Sequence, residues 1–300
     1  MLSKIRHLKW SVIIMKKAMD ILVKIGAMFT AVALMLVGHF SALPESTAEA
    51  ELIGQDIYVL FDALTMGQGI TTDGEYYYTS GCIAPIKVGL LAKIEIATGE
   101  IVLRNNFAIP PALIAKGCDH IGGISYYDGL IYASLEGAPY ENNFIVLYDA
   151  ETLEYTGKFY PLEKAYHMDG VPWVCVDAAR GYVYTGEWNH AVRLNIYDLE
   201  TMEFSHHLEL DAELHRIQGC EIFDGILYAS SDTKDSGGVK EVFSVSLDTG
   251  AVSLAFTRNT SEDCEAEGMT ITGDGEGNPV FHVIDYDSLV AMFIRHYKMK

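Results

Sequence analysis

One glycine-led phrase recurs five times along this 300-residue chain, and that repetition limits the fold more sharply than any other feature. The phrases are GQGITTDGEYYYTSG (67–81), HIGGISYYDGLIYASLEG (120–137), MDGVPWVCVDAARGYVYTGEW (168–188), IQGCEIFDGILYASSD (217–232) and AEGMTITGDGEGNPVFHVID (266–285). Their anchoring glycines, Gly69, Gly123, Gly170, Gly219 and Gly268, are spaced 54, 47, 49 and 49 residues apart. Inside each phrase two strand-like runs flank a turn pair: Asp73-Gly74, Asp128-Gly129, Arg180-Gly181, Asp224-Gly225 or Asp274-Gly275. Asp-Gly between such runs is a strong hairpin signal, because both residues accept the positive φ of a tight turn. A second hairpin follows at 91–103, 144–159, 192–208 and 242–256. Four strands per unit, repeated radially, predict an all-β chain folded as a five-bladed β-propeller.

The fifth unit is short. After PVFHVID it offers only SLVAMFIRHYK (288–298), while an orphan strand, DIYVLFDA (56–63), precedes the first unit. Letting that N-terminal strand complete the last blade covers two unpaired edges and closes the ring. A sixth blade is the alternative if residues 51–66 hold more structure.

Residues 1–50 read as an export segment and 51–300 as the propeller domain. From Met15, Lys16, Lys17 and Lys24 form a basic stretch before an apolar run, Ile25 to Val37, of 13 residues. That suits a signal peptide and falls short of the roughly 20 residues needed to span a bilayer. Cleavage is expected after Ala42 or Ala50, giving a secreted, bacterial protein; an uncleaved N-terminal anchor is the alternative. No membrane association is expected beyond this segment. Among Cys82, Cys118, Cys175, Cys220 and Cys264 there is no CxxC pair, and Cys175 and Cys220 read as buried core.

The first 50 residues take six of the 21 bases and three of the 41 acids, leaving 15 against 38, a net of −23. Such a surface repels nucleic acid and anionic membranes, so neither is an expected partner. A small molecule or cell-surface polymer is, bound by a monomer.

Turns within hairpins fall on one face of the disc; longer loops, such as 135–143 and 231–240, fall on the other. Ligand-binding residues concentrate on such loops. One residue before the anchors stand Gln68, Gly122, Asp169, Gln218 and Glu267; three before stand Met66, His120, His167, Arg216 and Glu265. Equal parity puts both sets on one side of extended chain, as a polar mouth. Ile70, Ile124, Val171, Cys220 and Met269, one after the anchors, would form an apolar floor. Second strands bring Glu136, Glu187, Asp232 and Asp285 to the rim, and Trp188 sits beside Glu187. Two carboxylates about 6 Å apart repel by roughly 3 kcal/mol at an effective dielectric near 20. A bound cation, a raised carboxyl pKa or pairing with Arg216 would each relieve this. His120, Asp169 and Glu267 are acceptable ligands for Ca²⁺ or another divalent ion. The competing readings are that the histidines bond loop backbone and that the rim acids are ordinary turn residues.

Over 67–102, GQGITTDGEYYYTSGCIAPIKVGLLAKIEIATGEIV resembles the opening blade of the plant and bacterial type of glutaminyl cyclotransferase. The resemblance implies a five-bladed propeller and matches Gln68-Gly69 to the family's Gln-Gly pair. The family's Gly-Glu-Gly is Ile121-Gly122-Gly123 here, and its Asn-Glu-Leu-Glu corresponds to Gln218-Gly219-Cys220-Glu221. Glu267-Gly268-Met269-Thr270 resembles a blade opening of lactonase-like and esterase-like secreted propellers. The leading expectation is binding of a small molecule or surface polymer at the mouth, with or without a bound divalent cation. The alternatives are an enzyme using Glu267 or Glu265 as general acid/base with His120 or His167 assisting, and a protein-interaction module.

Overall fold

The tight turns form as their composition demands, and the strands follow from them. Asp128 and Gly129 have φ of 48° and 76°, Asp224 and Gly225 50° and 75°, so each pair makes a two-residue hairpin turn. The computed structural model describes residues 46–83, 86–233, 238–286 and 291–300; the expected export segment lies almost wholly outside them.

Five four-stranded antiparallel sheets make a five-bladed β-propeller. Blade one is β2 (Ile70–Thr72), β3 (Tyr76–Ile83), β4 (Val88–Glu95) and β5 (Ile101–Asn105). Blade two is β6 (His120–Tyr127), β7 (Leu130–Glu136), β8 (Asn143–Asp149) and β9 (Tyr155–Leu162). Blade three is β10 (Val174–Asp177), β11 (Tyr182–Thr185), β12 (Ala191–Asp198) and β13 (Phe204–Leu214). Blade four is β14 (Ile217–Phe223), β15 (Ile226–Ser231), β16 (Val239–Ser246) and β17 (Val252–Asn259).

Blade five takes three strands from the C-terminus, β18 (Glu265–Gly273), β19 (Pro279–Tyr286) and β20 (Ala291–Met299), and its outer strand, β1 (Ala50–Val59), from the N-terminus. β1 pairs antiparallel with β20 from Ala50↔Met299 to Val59↔Ala291. The expected closure therefore holds, with shifted bounds. The strand starts at Ala50, and residues expected to end it instead begin a one-and-a-half-turn helix, α1 (Phe61–Met66). No sixth blade is present among the described residues.

Strand alternation sends successive side chains to opposite neighbours, so the core is five inter-blade layers. Tyr77 packs with Ile284 and Ile294 of blade five, while Tyr78 packs with Ile124 and Ile131 of blade two. The residues expected as an apolar floor fill these layers too. Ile70, Ile124, Cys220 and Met269 each belong to a different inter-blade cluster, and none lines the central cavity. Cys175 and Cys220 are buried as expected.

The innermost strands approach backbone to backbone. A Cβ on Gly69 would lie 2.7 Å from the Gly122 carbonyl oxygen and 2.8 Å from the Gly123 Cα. One on Gly268 would lie 2.7 Å from the Gly69 Cα, and one on Gly219 2.6 Å from the Gly268 Cα. Around the ring these positions are Gly69, Gly123, Trp173, Gly219 and Gly268, because Gly123 abuts the Trp173 Cα. Blade three is thus offset by three residues from the sequence alignment. The backbone bonds agree: Gly268 N donates to Gln68 O at 2.7 Å, and Gly123 N donates to Pro172 O at 2.6 Å. Pro172, not Asp169, is the third blade's counterpart of Gln68.

Candidate functional site

The openings of all five blades surround a cavity of about 340 Å³ on the long-loop face. Four of the five residues preceding the ring positions line it: Gln68, Pro172, Gln218 and Glu267. His120, Glu136, Asp169, Trp188 and Glu265 complete most of the wall. Sequence reasoning missed five contributors, Asp119, Gly137, Ala138, Pro172 and Tyr140. The first adjoins His120 and the last lies in the 135–143 loop, so chain position pointed to both; the blade-three offset hid Pro172.

Four side chains from three blades form a continuous chain along this wall. Gln68 Nε2 donates to Gly67 O and to Glu267 Oε1, each at 3.1 Å. That fixes the amide, so its Oε1 must accept from His120 Nε2, at 2.6 Å. The other imidazole nitrogen, Nδ1, stands 3.4 Å from Glu136 Oε1. Glu136 in turn accepts a hydrogen bond from Val171 N. Any Cβ on Gly170 would collide with Glu136 Oε2, and Gly170 has φ of 101°. Its glycine serves this carboxylate rather than the ring.

Two protonation states follow. Burial and the charge of Glu265 hold the Glu267 carboxyl well above the usual carboxylate range, with His120 opposing them. Burial alone would favour neutral His120, but the nearby Cys82 and Glu136 raise its pKa well above the ordinary histidine value. Both shifts favour the proton-bearing form, in which Glu267 and His120 can each donate a hydrogen bond.

The remaining acids have separate partners. Asp169 accepts from Trp188 N at 3.1 Å and Asn189 N at 2.9 Å, and burial raises its pKa. Glu187 accepts from Met168 N at 2.9 Å outside the lining, and burial raises its pKa too. Asp232 is fully buried, ion-paired with Arg216 and with Lys240 at 2.7 Å, and also lies outside the lining. Arg216 stacks on the Trp188 ring at 4.5 Å and reaches Glu265 at 4.0 Å. It braces the wall rather than lining the cavity. Asp285, expected at the rim, is fully buried between Arg258 and Arg295, at 2.8 Å from each.

His167 is corrected outright. It is fully buried in blade three, where Nδ1 donates to Glu163 O at 3.0 Å and Nε2 accepts from Thr185 Oγ1 at 2.8 Å. Burial pushes its pKa down to about 4, so it is a neutral structural histidine. The three-residue offset explains the error. Nor do His120, Asp169 and Glu267 gather their donor atoms as a metal site would. Among the described residues the one His/Cys/Asp/Glu group with all donor atoms within 4.8 Å is His190, Glu213 and His215. Carboxylate repulsion at the mouth is eased by the approach of Arg216 to Glu265 and by burial that favours the protonated form of Glu267.

No known family profile matches the chain, and no curated protein matches it. Solved structures do match. A DUF4623 family protein from Bacteroides eggerthii is 11% identical, with 81% of this chain and 61% of that one covered and a TM-score of 0.44. Kuenenia stuttgartiensis hydrazine synthase is 12% identical, covering 76% and 57%, with a TM-score of 0.43. The Neurospora crassa Pan2 WD40 domain is 9% identical, covering 76% and 62%, with a TM-score of 0.37. The chain spans about three fifths of the length of each. Among the described residues no helix is long and apolar enough to cross a membrane.

Proposed function

We propose that the protein is a small-molecule binding propeller whose mouth takes a polar ligand rich in hydrogen-bond donors, such as an amine or a polyol. The observation that carries this is the Glu136–His120–Gln68–Glu267 chain, which with Glu265 and Trp188 faces a single cavity. A volume of about 340 Å³ is at the small end of ligand pockets, room for a monosaccharide- or amino-acid-sized molecule. Acceptors on Glu265, Asp169 and Gln218 suit donors on the ligand, and the Trp188 face suits a cation or a sugar ring. Such a polar depression favours a small ligand over a flat protein partner.

Thermal shift with glucosamine, inositol and succinate tests this. Glucosamine and inositol should raise the melting temperature, and Glu265→Gln should weaken glucosamine about tenfold or more by removing a charge-assisted bond. A response to succinate alone would overturn the reading.

A second reading, acid–base catalysis of the cyclotransferase, lactonase or esterase kind, is favoured by one observation: the buried Glu267 carboxyl is bonded to Gln68, which in turn bonds His120, and its pKa is raised by burial. Glu267→Gln replaces one neutral donor by another, so ligand binding should persist while turnover of a lactone, an ester or an N-terminal glutaminyl peptide disappears. If wild type turns over none of these, the catalytic reading fails for those reactions.

A further inference from the structure

Outside the cavity, where β12 begins and β13 ends, a second constellation of side chains gathers. Ala191 pairs with Leu214, and both are buried. Their chain neighbours lie at the surface: His190 just before Ala191, and Glu213 and His215 on either side of Leu214. All three are exposed. Glu213 Oε1 contacts His190 Nδ1 and lies 3.8 Å from His215 Nδ1. The two imidazoles meet edge to face, with centroids 5.1 Å apart, and His215 Nδ1 also lies 3.3 Å from Asn189 Oδ1.

From this geometry we propose that His190, Glu213 and His215 bind a zinc-type divalent ion at the rim of the mouth. Two imidazoles and one carboxylate are a donor set that zinc favours, at about 2.0–2.2 Å per ligand, with a fourth position left to water. Donor atoms already within 4.8 Å of one another need only side-chain rotation to reach that separation, and exposed side chains rotate freely. The imidazole pair selects a borderline metal over Ca²⁺, which takes six to eight oxygens. The site is separate from the expected His120, Asp169 and Glu267 set. It would clamp the β11–β12 loop, which carries Trp188 into the cavity wall, to the segment leading to Arg216.

The experiment is thermal unfolding of the full chain with Zn²⁺ or Ca²⁺, alongside the visible spectrum of the Co²⁺ form. His190 has φ of 55°, so it is replaced by Asn, which tolerates that backbone, and His215 by Ala. At a hundredfold excess over its dissociation constant, Zn²⁺ should raise the melting temperature by about 5–10 °C in wild type and in Glu267→Gln. The rise should vanish in H190N and H215A, and Ca²⁺ should produce none. Co²⁺ should give d–d bands without a thiolate charge-transfer band, which separates this site from the cysteines. A Zn²⁺ response unchanged in H190N and H215A, an absent response in wild type, or an equal response to Ca²⁺ would overturn the proposal.

Discussion

Two residues beyond the ring of close-packed backbones lies a ring of small polar side chains, and one member is out of character. The positions are Thr71, Ser125, Cys175, Glu221 and Thr270. Each bonds its neighbouring blade: Thr71 Oγ1 accepts from Tyr126 N and Ser125 Oγ from Val176 N, while Glu221 Oε2 accepts from Thr270 Oγ1 at 3.0 Å. Burial pushes the Glu221 pKa from 4.5 up to about 7, against the lowering effect of Thr270, Ile222 N and Cys175. Below the unfolded value both states hold the proton and no penalty arises. Between 4.5 and about 7 the folded state keeps a proton that the unfolded chain has lost, so stability falls as pH rises. Above that range the full penalty persists. At about 1.4 kcal/mol per pH unit the gap amounts to about 3 kcal/mol. Glu221 retains some contact with water, so screening reduces this to between about 1 and 3 kcal/mol. Glu221→Gln keeps the shape and removes the charge. Urea unfolding of both proteins across pH should give curves that differ little near 4.5 and diverge toward about pH 8, the variant being more stable by that amount. Other titrating groups cancel in the difference. Parallel curves would show that Glu221 is not desolvated in the folded state.

Asp285→Asn should cost about 3–5 kcal/mol in urea unfolding, because Arg258 and Arg295 would lose the carboxylate that neutralises them in the blade-five interior. A loss below about 1 kcal/mol would mean that water reaches the triad. Gly69→Ala should destabilise by about 1–3 kcal/mol, since its Cβ meets backbone rather than a side chain that can turn aside. Gly275→Ala, with open space around the added Cβ, should change stability by no more than about 0.5 kcal/mol. Equal effects would refute the close-packed ring.

The blade number and the closing strand were readable because they depend on local rules: turn pairs, strand periodicity and an odd strand at each end. Blade three was misaligned because glycine spacing reports small residues, whereas equivalence in the ring depends on which backbone touches which. Trp173 occupies the third ring position, and its indole is accommodated from a neighbouring strand end. A Cβ on Gly186 would lie 2.6 Å from Trp173 Cζ2. Gly170 looked like the missing anchor, yet it is small for Glu136. That single slip placed His167 and Asp169 at the mouth by parity. Asp169 reaches the cavity anyway, through the loop geometry that turns it toward Trp188 N, and His167 does not. Parity arguments need extended chain, and residues 164–173 lead into β10 through a 3₁₀ turn, Lys164–Tyr166.

The acidity of the chain also means something different once most of the mouth carboxylates are seen to have partners. A cluster of unrelieved negative charge would call for a cation, but Asp232 is held by Arg216 and Lys240, and Glu136 by Val171 N and His120. Asp169 is held by two backbone donors, and Glu267 accepts from Gln68 Nε2 while burial raises its pKa. Glu265 keeps only a loose tie, 4.0 Å from Arg216, and it also raises the pKa of Glu267. A cationic group on a ligand that reached Glu265 would therefore weaken the repulsion on Glu267 and lower its pKa. On the proposed reading, an amine bound there would thus make Glu267 a better proton donor, which would couple recognition at the rim to the protonation state of the wall.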